Sequence, residues 1–295
     1  MNQIDLHIHS AISLDGEIDP QMIVDRAKQQ KMKYIGIADH NSTQAYQHIS
    51  DTSGICLIPS VEMDCYFQGL IFHVLLYFVN PNNEVFESLS EKIRKMEKEA
   101  GLKTLKYVQE KMNLVVDFKL LNQIHPEGIY TGEGICEACL ANTINKNNSY
   151  LKEHYAGGKH SVSPHVDFYW EYCSQGKIAY SPIEYMSMES LICLAKKEQA
   201  TVVLAHPGNN VKEDLELLNK IIALGIDGIE VYSSYHSKQQ IQFYRSYARK
   251  HQLLMTCGSD FHGKHKPHIQ IGQCDMPQED EEILIKWLED KIKSL

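Results

Sequence analysis

The chain has 295 residues, a formal net charge of −9 and a hydrophobic content of 43%. Its length allows a substantial core, and its negative charge argues against extended nucleic acid or anionic membrane as a partner. No apolar run approaches the roughly 20 residues of a membrane helix, and no export signal opens the chain, so a cytoplasmic protein is expected.

Two blocks of alternating strands and helices flank a different middle region. Short apolar runs typical of parallel strands predict strands at 3–9, 33–38, 55–61, 71–79, 201–205, 227–232 and 253–257. Helical spacing and end signals predict helices at 20–31, 42–52, 212–224, 237–250 and 279–293. Residues 1–80 and 178–295 are therefore predicted to form one α/β domain.

The middle region, residues 81–177, has another pattern. Residues 85–112 are charged, and their apolar positions recur every three or four residues, as in a helix. A second helical stretch covers about 134–145, and residues 146–166 are polar and contain glycine, which indicates a loop. We expect a mostly helical insertion that covers the active-site face.

Polar side chains follow the predicted strands at or just beyond their C-terminal ends: His9, His40, Glu62, His206, Asp260 and His262. Active sites of (β/α) barrels are built at that face from several strands, whereas an open sheet concentrates ligands at one switch point. The pattern predicts a closed barrel.

Nine side chains of metal-ligand type share this placement: His7, His9, Asp15, His40, Glu62, His73, His206, Asp260 and His262. Taken singly, several have an ordinary explanation, such as a turn aspartate for Asp15 or a core histidine for His73. Together they predict one cluster of two to three divalent ions. Mixed histidine and carboxylate ligands favour zinc, iron or manganese.

The motifs resemble those of the PHP family, named for polymerase and histidinol phosphatase domains. The resemblance is carried by Asp5-Leu-His-Ile-His-Ser10, Ala38-Asp-His-Asn41, Glu62, His73, Ala205-His-Pro207 and Gly258-Ser-Asp-Phe-His262. It implies a distorted seven-stranded (β/α) barrel with up to three metals at its C-terminal rim.

The resemblance also implies a ligand set for each metal. The first metal would take His7, His9, Glu62 and Asp260. Glu62 would bridge to a second metal that is held by His73 and His206. The third would take Asp15, His40 and His262. The set is complete, which favours an enzyme over a structural domain.

Adjacent cations lower the pKa of a bridging water and neutralise charge on a phosphate. We therefore expect a phosphoesterase that hydrolyses a small phosphomonoester, of nucleotide or sugar phosphate type, through a metal-bridging hydroxide. The expected catalytic residues are Glu62, Asp260 and His262. The alternatives are a phosphodiesterase or exonuclease acting on nucleotides or oligonucleotide ends, and a non-catalytic regulatory module that binds metal.

The sequence defines the substrate less sharply. Nucleotide-cleaving relatives tend to carry an arginine after the Ala-His-Pro motif and a Gly-Arg-Pro-His segment in the insertion. This chain has Gly208-Asn209-Asn210 and Thr131-Gly-Glu-Gly-Ile-Cys136 at those places. Lys264, Lys266 and His236 are the remaining candidates for contact with the substrate.

Overall fold

A computed structural model describes residues 2–294. Its strands are β1 Ile4–Ile8, β2 Tyr34–Ile37, β3 Cys56–Leu57, β4 Ser60–Phe67, β5 Leu70–Tyr77, β6 Met186–Ser187, β7 Thr201–Leu204, β8 Gly228–Ser233 and β9 Leu254–Gly258. Its α-helices are α1 Pro20–Gln29, α2 Glu84–Met112, α3 Phe118–Ile124, α4 Gly132–Leu140, α5 Pro164–Phe168, α6 Met188–Lys197, α7 Leu215–Ile222, α8 Lys238–His251 and α9 Gln278–Ser294.

Local sequence explains where several helices begin and end. The Asp19 side chain accepts hydrogen bonds from the first turn of α1, and Pro20 follows as its first residue. Ser237 and Gln240 form a reciprocal capping box at the start of α8. The long helix α2 ends where Asn113 adopts a left-handed conformation, with φ of 52°. By contrast, the helix expected at 42–52 is a short 3-10 helix, Gln44–His48.

The strands form two sheets. A three-stranded parallel sheet has the order β1-β2-β3, and a six-stranded sheet has the order β6-β4-β5-β7-β8-β9. The interpretation of residues 71–79 as a parallel-type strand was wrong, because β5 runs antiparallel to both β4 and β7. Its apolar run reflects burial on both faces, which does not depend on strand direction.

Two short bridges join the sheets at the ends of the site-bearing strands. Ile8 pairs with Phe261 in parallel, and His40 pairs with Glu62 in parallel. The amide of His9 donates to the carbonyl of Phe261 at 3.0 Å, and the amide of Asp260 donates to the carbonyl of His7 at 2.8 Å. These bonds hold the ends of β1 and β9 against each other.

The middle region has a buried apolar cluster of its own. It contains Leu105, Val108, Met112, Leu121, Ile135, Cys136, Cys139, Leu151, Phe168 and Cys173, among others. The sheets and the remaining helices are packed around two further clusters. Within residues 2–294, no helix combines the length and the apolar composition needed to cross a membrane.

Candidate metal centre

The strand period places the first two histidines side by side. His7 and His9 lie two residues apart at the end of β1, so both side chains leave the same face of the strand. Both are fully buried, and their Nε2 atoms are 3.0 Å apart. Two buried imidazole nitrogens at this distance could bind the same cation.

Glu62 lies at the centre of the cluster and faces two pairs of histidines. Its Oε2 is 3.1 Å from Nε2 of His7 and 3.1 Å from Nε2 of His9. Its Oε1 is 2.9 Å from Nε2 of His206 and 3.0 Å from Nδ1 of His73. Each oxygen of one carboxylate therefore points at a different pair of nitrogen donors, as a bridging ligand requires.

Asp260 completes the group around His7 and His9. Its Oδ1 is 3.4 Å from Nε2 of His7 and 3.1 Å from Nε2 of His9. The backbone of Asp260 is left-handed, with φ of 54°, in the tight turn that follows β9. This turn directs the carboxylate back over the strand ends.

A third group lies beside the first. Nε2 of His262 is 3.2 Å from Oδ2 of Asp15, and Nε2 of His40 is 3.7 Å from the same oxygen. The ring of His262 stacks on that of His9 at 4.0 Å. Asp15 is therefore part of the cluster, although on its own it resembles an ordinary turn residue.

The donors meet the requirements of metal binding. Four sets of side chains have ligand atoms within 4.8 Å of one another: His7/His9/Glu62/Asp260, Glu62/His73/His206, His9/Asp15/His40/His262 and His40/Asp64/His73. Within residues 2–294, no hydrogen-bond partner reaches Oδ1 of Asp15 or Nδ1 of His206, although these atoms are buried. Buried polar atoms without partners are costly, and bound cations would satisfy them.

The electrostatics agree with a site built for cations. Burial alone would lower the pKa of His40. The negative charges of Glu62 and Asp15 have a larger effect and raise that pKa to about 9. Burial raises the pKa of Glu62, and the surrounding histidines bring it well below its usual range. The carboxylates thus remain ionised in a buried site, where divalent ions would neutralise them.

Two further buried carboxylates hold the ring of His7 and the backbone next to other histidines of the cluster. Oε1 of Glu230 accepts from Nδ1 of His7 at 2.9 Å, and its Oε2 accepts from the amide of His206 at 2.8 Å. Asp39 accepts from the amide and the hydroxyl of Ser10 at 2.6 and 2.7 Å. Such partners hold a ligating ring in one tautomer and one direction.

The sequence reasoning missed Asp64. Its Oδ1 is 3.1 Å from Nε2 of His73 and 3.7 Å from Nδ1 of His40, and its Oδ2 accepts from Nδ2 of Asn41 at 2.7 Å. A signal was available, because Asp64 follows Glu62 by two residues on β4 and must share its face. The same spacing relates His7 to His9.

A cavity of about 600 Å³ opens over the cluster. One wall comes from the sheet ends, and the other comes from α2, α4 and the segment 166–185. Lys266 lines the cavity, where its Nζ lies 2.5 Å from Oδ2 of Asp260 and 4.3 Å from the ring centre of Tyr235. A cationic side chain thus stands beside the metal-type ligands.

The other two substrate candidates have partners within the protein. Nζ of Lys264 is 2.8 Å from Oε2 of Glu137 in the insertion. His236 is buried, its Nδ1 donates to the carbonyl of Val231 at 2.8 Å, and its Nε2 accepts from the amide of Gly208 at 2.9 Å. Both ring nitrogens are therefore occupied, and neither side chain lines the cavity.

The chain is similar in sequence to known proteins. The chain is 25% identical to the 5'-3' exoribonuclease Rnm of Salmonella typhimurium over 91% of its length and 88% of that protein. It is 24% identical to a 3',5'-nucleoside bisphosphate phosphatase of Chromobacterium violaceum over 94% and 93% of the two chains.

The fold also matches a crystal structure from Bifidobacterium adolescentis described as a metal-dependent phosphoesterase. The TM-score is 0.74 at 23% identity, over 96% of this chain and 95% of the other. The family model of the PHP domain matches residues 5–223. The chain belongs to the PHP domain family.

Proposed function

We propose that this chain is a metal-dependent phosphoesterase that hydrolyses a small phosphomonoester. The observation that carries the proposal is the position of Glu62, whose two oxygens each face two histidine nitrogens at 2.9–3.1 Å. Membership of the PHP family and the names of the relatives support the class of reaction, which is hydrolysis of phosphate esters.

We assign two to three divalent ions, of zinc, iron or manganese, to the three donor sets around Glu62, Asp260 and Asp15. When bound, such ions activate a water molecule and neutralise the charge of the phosphate. Glu62 would bridge two of them. Asp260 and His262 would act as ligands, since each faces another donor at 3.1–3.2 Å.

Lys266 is the proposed contact to the substrate phosphate. Its ammonium group lies beside Asp260 in the cavity wall, so a phosphate bound over the cluster would come within its reach. Lys264 and His236 have partners in the protein, and we propose that they position the loop and strand ends instead. His236 holds the turn after β7 through the amide of Gly208.

We also propose that the two sheets form one distorted barrel and that a helical insertion covers the site. The bridges between Ile8 and Phe261 and between His40 and Glu62 support a reading of the two sheets as one distorted barrel. Residues 81–177, with their own apolar cluster and their share of the cavity wall, support a helical insertion over the site.

Hydrolysis of a diester or of an RNA end is the second candidate function. It is favoured by the likeness to the exoribonuclease of Salmonella typhimurium, which extends over 91% of this chain. A diester carries a second ester group that stays on the phosphorus when the first alcohol leaves, and it has less negative charge than a monoester. The two candidates therefore differ in the space and charge that they require beside the metals.

The test is an assay of the purified protein after metal removal and reconstitution with manganese, iron or zinc. p-Nitrophenyl phosphate reports on monoesters and bis-p-nitrophenyl phosphate on diesters. We expect metal-dependent turnover of the monoester and its loss in Glu62→Gln. Turnover of the diester alone would favour the second candidate, and no turnover above a metal-only control would contradict both.

A further inference from the structure

The part of the cavity that belongs to the insertion has an unusual set of polar groups. Five residues of α2 line it at helical spacing and therefore share one face of the helix: Ser90, Arg94, Glu97, Gly101 and Thr104. The start of α4 adds Glu133, and the neighbouring segment adds the rings of Tyr169 and Trp170. This is the space that the leaving group of a phosphate on the metals would enter.

Positive charge is scarce on this wall. Arg94 is ion-paired with Glu127, and Lys266 is ion-paired with Asp260. In the described part of the chain, no lysine or arginine forms an ion pair with Glu97 or Glu133. Arg94 nevertheless lowers the pKa of Glu97, and Lys212 also lines the cavity, so the shortage of positive charge applies to the carboxyl group of Glu133.

The pKa values of the two glutamates on this wall are both raised. Burial raises the pKa of Glu133 to about 7, and the negative charge of Asp15 adds to the rise. Burial likewise raises the pKa of Glu97 to about 7, with a contribution from Asp64. A second phosphate placed here would put another negative charge beside the carboxyl group of Glu133, and like charges at close range disfavour binding.

Two serine hydroxyls without hydrogen-bond partners indicate which kind of ligand this wall of the cavity binds. Ser90 and Ser181 line the cavity and are 5% and 6% exposed. Among residues 2–294, neither hydroxyl oxygen has a hydrogen-bond partner. Buried hydroxyls are normally satisfied, so these two are free to pair with a ligand.

We infer that the leaving group is an uncharged polyhydroxy alcohol, as in a sugar monophosphate, and that Glu133 is a specificity residue that excludes a second phosphate. Carboxylates accept hydrogen bonds from hydroxyl groups, and the serine hydroxyls can donate or accept. The Tyr169 and Trp170 rings offer apolar faces to the carbon side of such a ring. This inference rests on the proposed phosphoesterase function.

The position of Glu133 at the start of α4 supports its role as a specificity residue. Thr131 caps this helix by accepting from the amide of Gly134 at 3.1 Å, which fixes the first turn against the cavity. The helix N-terminus would attract an anion. Here the carboxyl of Glu133 already lies in that first turn, so a substrate phosphate would have to compete with it.

The experiment compares phosphate release by the manganese-loaded protein from ribose 5-phosphate, glucose 6-phosphate, adenosine 3',5'-bisphosphate and p-nitrophenyl phosphate. The wild type should prefer the sugar phosphates to the bisphosphate. Glu133→Arg should shift the ratio of the two kcat/KM values toward the bisphosphate by about tenfold or more, since it replaces repulsion by attraction. Glu133→Gln should shift it in the same direction by less.

Glu99→Gln is the matched control, because Glu99 is exposed on α2 and does not line the cavity. It removes the same charge and should leave the ratio unchanged. Circular dichroism checks that the variants fold.

The outcomes separate the two proposals. If phosphate is released but the wild type prefers the bisphosphate, or Glu133→Arg leaves the ratio unchanged, the inference is wrong while the phosphoesterase function stands. If no compound, including p-nitrophenyl phosphate, releases phosphate in a metal-dependent way, the proposed function fails and the inference fails with it.

Discussion

Asp64 Oδ1 lies 3.1 Å from Nε2 of His73, on the side of the ring opposite to Glu62. His73 is thereby held between two carboxylates, one central to the cluster and one at its edge. Asn41 fixes the outer carboxylate, because its amide donates to Oδ2 of Asp64 at 2.7 Å. A ligating histidine that donates its second N–H to a carboxylate has a fixed tautomer and a fixed direction.

Replacement of Asp64 should therefore weaken one metal more than the others. In Asp64→Ala, we expect the affinity for the weakest-bound ion to fall about 10- to 100-fold, the usual cost of losing such a partner. Asp64→Asn keeps an acceptor oxygen and should lose less. Metal content after dialysis against a buffered series of free zinc concentrations measures the effect. Equal metal content in wild type and Asp64→Ala would show that Asp64 does not support the cluster.

Gly258 tests how tightly the site is packed. A Cβ at this position would lie 2.1 Å from Cβ of His7 and 2.4 Å from Oε1 of Glu230, so both side chains would have to move. We expect Gly258→Ala to lower stability by about 1–3 kcal/mol, the range for overpacking. It should also lower the metal content, because His7 is displaced. Urea unfolding and elemental analysis measure the two effects, and unchanged metal content would argue that His7 is not a ligand.

Lys266 and Lys264 form a matched pair for the substrate contact. Lys266→Met should raise KM for p-nitrophenyl phosphate by about tenfold, because a charged contact to the phosphate is lost. Lys264→Met removes the same charge two residues away, but its partner is Glu137 outside the cavity. We expect a change of less than about twofold for an exposed ion pair. Equal effects of the two substitutions would refute the assignment of Lys266.

Asp280 is remote from the site, and its contacts allow a prediction about the stability of the fold. The side chain is buried and accepts from Nε of Arg245 at 2.6 Å and from Arg249 at 2.8 Å. Burial raises its pKa, but the hydrogen bonds from Arg245 and Tyr232 outweigh it and bring the pKa below the usual value. Asp280→Asn should cost about 2 kcal/mol at pH 7, less than a fully buried pair because Arg249 is partly exposed.

The pH dependence of this effect has a definite sign. Since the folded pKa of Asp280 lies below the unfolded value, its contribution is fully present above about pH 4 and is lost as the pH falls through the lower folded value. The stability difference between wild type and Asp280→Asn should thus stay constant from pH 7 to 5 and shrink in stronger acid. Asp290→Asn, at an exposed position of α9, is the control. A difference that shrinks above pH 5 would contradict the assignment.

The sequence predicted those parts of the molecule that depend on local pattern. His7 and His9 are two residues apart at a strand end, and this spacing suffices to place both side chains on one face. The direction of β5 could not be read from its apolar run, because burial on both faces produces the same run in either direction. The pairing of Lys264 with Glu137 joins residues 127 positions apart, and no local pattern encodes it.

The position of Glu62 between two pairs of histidines is tested most directly by crystals grown with manganese and measured at its absorption edge. Anomalous difference peaks should lie next to both carboxylate oxygens of Glu62, one near His7 and His9 and one near His73 and His206. A map with no peak in contact with Glu62, or with manganese bound only elsewhere on the protein, would contradict a shared metal centre.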